Sequence, residues 1–350
     1  MPSPISSVMR AATRPKGGPY NILTFVSHER YESFLCKTGH NFFSIKESGY
    51  TKGHWNTNFA NIPENYTILN SVNDIPADID FDMVLCHNRY GQHELAFEIA
   101  SRCVCPVIIM EHTCAPESGS KHKVTKSKLL EFYAKKGHIN AFISEYSRDV
   151  WGWSKDRDDA RVIHHGIDTD LFKNEIPTKD REDCVLSVVN MWQQRDWCCG
   201  FGFWQECSGY PNGLNFPIKV VGDNEELSVP AKNVEELVLS YNTSKIFLNT
   251  SIISPIPMTL LEAMSCGCAV VSTPTCMIPE IIEHGKNGFM SDKPEKIREY
   301  IEMLRNDEDL CCRMGEAARK TIEDNFSMNQ FIDSWSQIFD EACLIGEKMV

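Results

Sequence analysis

Glu262 lies in the stretch "SPIPMTLLEAMSCGCAVVST", four residues beyond Met258 and just after a proline-laced loop. Proline suits the first helical position, because its missing N–H has no intrahelical partner there. Pro257 therefore predicts a helix from about 258, with the N–H groups of Met258, Thr259 and Leu260 facing outward as a ready anion site. Diphosphate is the natural guest. Glu262, one turn in, has the acceptor oxygens to take two hydrogen bonds from a vicinal diol such as a ribose. The helix dipole alone also favours acids in a first turn, so a purely structural reading of Glu262 stands beside the functional one. Gly267 suits the left-handed position after the helix, "CAVVST" reads as a buried strand, and Asn287-Gly288 marks a turn.

Other polar groups gather just after apolar runs: Ser27-His28-Glu29-Arg30, His87-Asn88-Arg89, Glu111-His112-Thr113, and Asn190 through Arg195. In open parallel sheets, ligands bind beyond the carboxyl ends of the strands. His28, Glu29, Arg30, His87, Arg89 and His112 are thus candidates in the first half of the chain, and Asn190 and Arg195 in the second. A buried, hydrogen-bonded structural histidine is the alternative for both His87 and His112. A solvated loop arginine is the alternative for Arg195.

The elements that must position these residues alternate short apolar runs with amphipathic stretches, which argues for parallel sheets with crossover helices. In the first half the strand candidates are 20–26, 66–70, 82–87, 106–112, 140–144 and 160–166, with helices at 91–102 and 126–137. Residues 168–183 are polar, contain Pro177 and read as a linker. Strands at 184–189, 216–223, 245–251 and 268–273 follow, with helices from about 258, 278, 294 and 308. A last helix at 329–347 carries Phe331, Trp335, Ile338 and Phe339 at helical spacing. The expected domains are a leader at 1–18, a first domain at 19–175, a second at 176–328 and a terminal helix at 329–350.

Composition narrows the class. At 350 residues the chain suits two domains. No window is apolar enough for a membrane span, and "MPSPISSVMRAATRPKGG" lacks the apolar core of a signal peptide. The 15 cysteines form no C-x-x-C pair, so neither structural zinc nor a regular disulfide framework fits them. Free thiols in a reducing, cytoplasmic compartment are the better reading. Residues 1–175 are near neutral, with 20 Lys and Arg against 21 Asp and Glu; the rest of the −13 net charge lies in the second half. A polyanion would therefore meet the first half. There, "GSKHKVTKSKLLEFYAKKGH" (119–138) holds six lysines, Lys121 and Lys123 among them, against one acid. It reads either as a solvated helix face with a loop or as a phosphate-tracking patch. "DID" (78–80) and "DTD" (168–170) imitate a metal-binding Asp-x-Asp, but are better explained as acidic strand and linker edges.

"LLEAMSCGCAVVSTPTCMIPEIIEHGKNGF" resembles the donor-binding signature of family 4 retaining glycosyltransferases, which have the GT-B fold. "ARVIHHGIDTDLF", "NAFISEYSRDVW" and "PVIIMEHT" resemble further segments of that family, the last being the strand that delivers a histidine. The matching segments span roughly residues 80 to 290. The resemblance implies an α/β protein of two Rossmann-like domains facing across a cleft, with a C-terminal helix crossing back to the first. It implies a nucleotide-sugar co-substrate, UDP- or GDP-linked, with no cofactor or metal, and transfer with retention. Glu262 would bind the donor ribose, Pro257 and the 258–260 amides the diphosphate, and Val234, in the loop before "EELVLSY", the region of the base. His112 would approach the sugar or the acceptor hydroxyl. His28, Glu29, Arg30, His87, Arg89, Lys121 and Lys123 would meet the acceptor: a hydroxylated DNA base, a lipid phosphate or an acidic glycan.

The sequence departs from the family at two places. A second glutamate usually stands eight residues before the one at Glu262; here it is Ser254, shorter and neutral, which bears on the sugar accepted and on catalysis. Asn190 and Met191 occupy the usual Gly-Arg, leaving Arg195 to supply the cation. Two rivals share the fold: a sugar-nucleotide epimerase and a non-catalytic nucleotide-sugar-binding protein. A nicotinamide oxidoreductase fits poorly, because "SHERYESF" after the first strand has no glycine.

Overall fold

The computed structural model describes residues 18–47, 51, 53–57, 59–87, 92–114 and 138–349. The expected leader (apart from Gly18), the expected 126–137 helix, and Arg89, Lys121 and Lys123 lie outside these residues. The chain forms two compact units, Met1–His164 with Asn329–Val350, and His165–Met328.

The first unit is built on seven parallel strands in the order β3-β2-β1-β4-β5-β6-β7. These are β1 (Asn21–Phe25), β2 (Asn41–Ile45), β3 (Tyr66–Leu69), β4 (Met83–His87), β5 (Val107–Glu111), β6 (Ile139–Phe142) and β7 (Ala160–Val162). The apolar runs at β4 and β5 are buried along their full length, as a parallel sheet covered on both faces requires. β2 has no counterpart among the expected strands: "NFFSI" places a serine, Ser44, at a fully buried position, which breaks the apolar run. The helix Met328–Met349 buries Phe331, Trp335, Ile338, Phe339 and Ala342 along one stripe. Trp335 donates its indole N–H to the Tyr31 hydroxyl at 3.0 Å, and Tyr20 donates its hydroxyl to Asp340 at 2.7 Å. Residues 329–349 thus complete the first unit.

The second unit has five parallel strands in the order β12-β11-β10-β8-β9: β8 (Glu182–Val188), β9 (Ile218–Val221), β10 (Ser244–Asn249), β11 (Ala269–Ser272) and β12 (Phe289–Met290). Its core holds Trp192 and Trp204, both fully buried, with rings 4.8 Å apart. No helix among the described residues is long and apolar enough to cross a membrane. All fifteen cysteines are free thiols.

The expected boundary at 175/176 is corrected to 164/165, because the presumed linker is structure of the second unit. Asn242 accepts the amide of Glu175 at 2.7 Å and donates to the carbonyl of Lys173 at 3.0 Å. The buried Arg181 guanidinium donates to the carbonyls of Ile176 at 2.8 Å and Cys266 at 2.7 Å, and to Asn174 Oδ1 at 2.7 Å. Each such bond contributes about 0.5–1.5 kcal/mol, and leaving the buried groups unpaired would cost more, so the segment stays in place.

Candidate functional site

Each sheet reverses its winding direction at one place, between β1 and β4 in the first unit and between β8 and β10 in the second. Connections leave to opposite sides at such a point and open a crevice beyond the carboxyl ends of the strands. The residues that follow β1, β4, β8 and β10 are therefore the ones placed to meet a ligand.

In the second unit, the segment after β8 is anchored. The Trp192 amide donates to Asn224 Oδ1 at 2.8 Å, and its indole N–H donates to the Cys199 carbonyl at 3.0 Å. Asn224, fully buried after β9, also donates to the Val189 carbonyl at 2.7 Å and to the Ser228 hydroxyl at 2.8 Å. Asn190 faces the same seam, its Oδ1 accepting the Asp223 amide at 2.9 Å. Gly222 makes this approach feasible: at φ 141°, a Cβ there would sit 1.8 Å from the Val189 carbonyl oxygen. Beyond the seam, Met191 takes a positive φ of 53° and stays exposed, and Arg195 precedes the short helix Asp196–Cys199 with its side chain exposed. Burial pushes the Cys199 thiol up to about 12, so this cysteine packs here as a neutral group.

After β10, hydroxyls and amides tie the strand ends together. Asn249 donates to the Ser272 hydroxyl at 2.8 Å, Ser251 donates back to Asn249 at 2.8 Å, and Thr273 and Thr275 both donate to the Ser251 carbonyl. The loop then runs through half-buried Ser254 to the helix Met258–Ser265. Pro257 is the residue preceding this helix, with extended backbone, and not its first residue. The first turn tightens, and the Leu260 amide donates to the Pro257 carbonyl at 3.0 Å. Leu260 thus drops from the expected trio of outward amides. Met258 and Thr259 remain at the first two helical positions, whose amides have no intrahelical acceptor.

Glu262 is 2 % exposed and lies in the second turn, beyond the first turn where acids stabilise a helix through its dipole. Its Oε2 accepts the hydroxyl of Tyr241 at 2.8 Å. Burial, reinforced by the adjacent Glu262 carboxylate, holds the Tyr241 hydroxyl well above the usual phenol range, so it remains a donor. Tyr241 comes from the helix Val234–Thr243, of which Val234 is the first residue and not part of the preceding loop. Asn233 caps that helix by accepting the Glu236 amide at 2.9 Å. Tyr241 was not among the sequence candidates. Its signal was a tyrosine on the same helical stripe as Val234 and Val238; a buried phenol nearly always has a polar partner.

In the first unit, three histidines converge. His87, fully buried at the end of β4, brings Nδ1 to 2.9 Å from Nε2 of His112, which follows β5. The His28 ring, after β1, lies 4.8 Å from that of His112, and Tyr31 meets His112 edge-on at 4.7 Å. Glu32 supports the turn after β1: its Oε1 accepts the amides of Ser27 and His28, each at 2.6 Å, and its Oε2 is bonded to the Tyr66 hydroxyl. Burial raises the Glu32 carboxyl to about 7 against these stabilising bonds. Glu29, expected to face a ligand, instead turns inward: it is buried and accepts the Asn56 amide at 2.8 Å. Arg30 is half-buried beside it. Among the described residues, no group of three or more His, Cys, Asp or Glu side chains is arranged to hold a metal ion.

Residues 224–321 match the family described as glycosyl transferases group 1. The chain is 31% identical over 84 residues to the N-acetyl-alpha-D-glucosaminyl L-malate synthase of Bacillus anthracis, covering 23% of this chain and 22% of that protein. It is 25% identical over 188 residues to an uncharacterized glycosyltransferase of Haemophilus influenzae, covering 48% of this chain and 52% of that one. The chain therefore spans between about a fifth and a half of these curated relatives. Among solved structures, Anabaena HepE in complex with UDP and glucose superposes with a TM-score of 0.68 at 13% identity, over 92% of this chain and 99% of that one. At that identity the likeness establishes a shared fold, the α/β GT-B architecture with two parallel sheets.

Proposed function

From the match of residues 224–321 to the glycosyl transferases group 1, we propose that the protein is a glycosyltransferase that moves a sugar from a nucleotide-sugar donor to an acceptor hydroxyl. The observation that carries this reading is the helix Met258–Ser265, with the Met258 and Thr259 amides at its mouth and the Glu262 carboxylate one turn inside. Diphosphate on the amides and ribose on Glu262 fit that spacing. Val234 then borders the base and Ser254 the transferred sugar. As the glycosidic bond breaks, negative charge grows on the departing diphosphate. Fixed amides and the exposed Arg195 would stabilise that charge, and transfer would proceed without a metal ion and with retention.

UDP is the first nucleotide to test, since HepE was solved with UDP and glucose. The first unit would take the acceptor, through His112 and its neighbours His28 and His87. A polyanionic acceptor remains our assignment on the strength of the lysine run at 119–138, in a reducing compartment suited to fifteen free thiols.

The test is a thermal-shift screen of UDP- and GDP-sugars. A donor that binds only the folded state raises the melting point by mass action. The best donor is then offered to DNA, lipid-phosphate and glycan acceptors in low and high salt, with product analysis by mass spectrometry. No shift from any nucleotide sugar would end the proposal. Donor turnover to an epimer without any transferred product would reassign the fold to epimerase chemistry.

A further inference from the structure

The Glu262 carboxylate does not stand alone in the second unit, and its companion is a residue to which the reading above gives no part. Tyr241 is fully buried and Glu262 nearly so, and a single hydrogen bond of 2.8 Å joins the hydroxyl to Oε2. The Tyr241 ring packs against two others: the Phe172 ring lies 6.3 Å away edge-on and the Phe247 ring 6.0 Å away. The Tyr241 carbonyl in turn accepts the Cys268 thiol at 3.2 Å, in the strand segment that follows the Met258–Ser265 helix. The phenol is therefore held by full burial against two aromatic rings, and its backbone is tied to the segment after the helix.

A carboxylate on a side chain with three rotatable bonds has a broad, roughly two-fold terminal torsion. Left to itself, it presents its oxygens to a diol in many planes. Anchoring one oxygen to a rigid donor removes most of that freedom before any ligand arrives, and ordering done in advance does not count against binding. The donor here stays protonated across the accessible pH range, since burial and the carboxylate itself hold the phenol above its usual value. The phenol is thus able to donate to Glu262 before a ligand arrives.

We propose that Tyr241 is a positioning residue for nucleotide recognition: its hydroxyl clamps Oε2 of Glu262 and fixes the plane in which the carboxylate meets the ribose diol. The proposal rests on the assignment of Glu262 to the ribose. Tyr241 itself touches no substrate; it acts through Glu262, from the same helix whose first residue, Val234, borders the base. Seven residues separate the two, or about 10 Å along the helix axis.

The experiment compares the affinity of the full chain for UDP and for 2′-deoxy-UDP by titration calorimetry, in wild type, Tyr241→Phe and Glu262→Gln. The readout is the ratio of the two dissociation constants. Both ligands meet the same sample, so partial unfolding of a variant cancels from the ratio, and a merely structural role for Tyr241 would leave it unchanged. Tyr241→Phe keeps the ring and its packing. We expect the wild type to favour UDP by about tenfold or more, Glu262→Gln to abolish the preference, and Tyr241→Phe to reduce it by at least about threefold. A wild-type ratio in Tyr241→Phe alongside a collapsed ratio in Glu262→Gln would overturn the positioning role and leave the ribose assignment intact. A wild-type ratio in Glu262→Gln, or no preference in the wild type, would overturn the ribose assignment and the positioning role with it.

Discussion

The Nδ1 atom of His87 and the Nε2 atom of His112 are 2.9 Å apart, a distance at which one imidazole donates and the other accepts. At least one of the two rings is neutral while that bond stands. Together with His28 and Tyr31, they bring together candidate residues from three different strand ends of the first unit.

His112→Ala should lower turnover by about 10²- to 10⁴-fold, the range for loss of a group that moves a proton in the transition state. His87→Asn should lower it by roughly 10- to 100-fold, as expected when a reacting group loses its orientation. Steady-state rates with the identified donor and acceptor, alongside melting curves, check both. Two variants at wild-type rates would remove the cluster from the reaction.

Arg195→Ala should reduce kcat by about 10²- to 10³-fold, the cost of deleting one electrostatic partner of developing charge. The side chain is exposed, so stability should stay within about 0.5 kcal/mol of wild type. Urea unfolding and kcat measured on one preparation separate the two effects.

Gly222→Ala should destabilise the protein by about 2 kcal/mol or more. The new methyl would lie 1.8 Å from the Val189 carbonyl oxygen, and the backbone sits at φ 141°. Relief requires the segments after β8 and β9 to part, so UDP affinity should fall with the urea midpoint. Unchanged values for both would show that the seam between these segments yields easily.

Glu32 gives a pH dependence of defined sign. Its carboxyl is raised from 4.5 to about 7 by burial, opposed by its bonds to Tyr66, His28 and Ser27. Between these values the folded protein holds a proton that the unfolded chain has lost, so stability falls as pH rises from about 4.5 to about 7 and then levels off. The full effect is on the order of 3 kcal/mol. His93 acts in the opposite sense. Burial lowers it from 6.5 to about 3, so stability is lost as pH falls through that window. Glu32→Gln should cancel the first effect, leaving stability that only rises with pH between 4 and 7. A decline over that range that persists in Glu32→Gln would place its source elsewhere.

Much of the architecture was legible because it rests on local patterns. Apolar runs such as "VIIM" and "AVV" are what a doubly covered parallel sheet demands, and each lies in a strand. Ser44 hid β2, because a buried serine looks like a strand end when its neighbours in space are unknown. The helix at Met258 was announced by its prolines, but the engagement of the Leu260 amide depended on how tightly the first turn winds, which spacing does not encode. Residues 168–183 looked like a linker for a similar reason. Their partners, Asn242 and Cys266, lie far along the chain. Tyr241 and Asn224 were missed because their importance lies in what they hold, and Glu29 was over-read because its inward turn toward Asn56 depends on a loop with no pattern of its own.

Residues 329–349 are the last described stretch of the chain, yet they furnish the wall against which Tyr20 and Tyr31, near its beginning, are closed. The first unit is consequently made of two pieces of chain that are synthesised before and after the second. It stays unfinished on the ribosome until the helix Met328–Met349 emerges, whereas the second unit, continuous from His165 to Met328, can close before it. A stop codon placed just before Met328 would therefore take a wall from a unit whose seven strands had already been made.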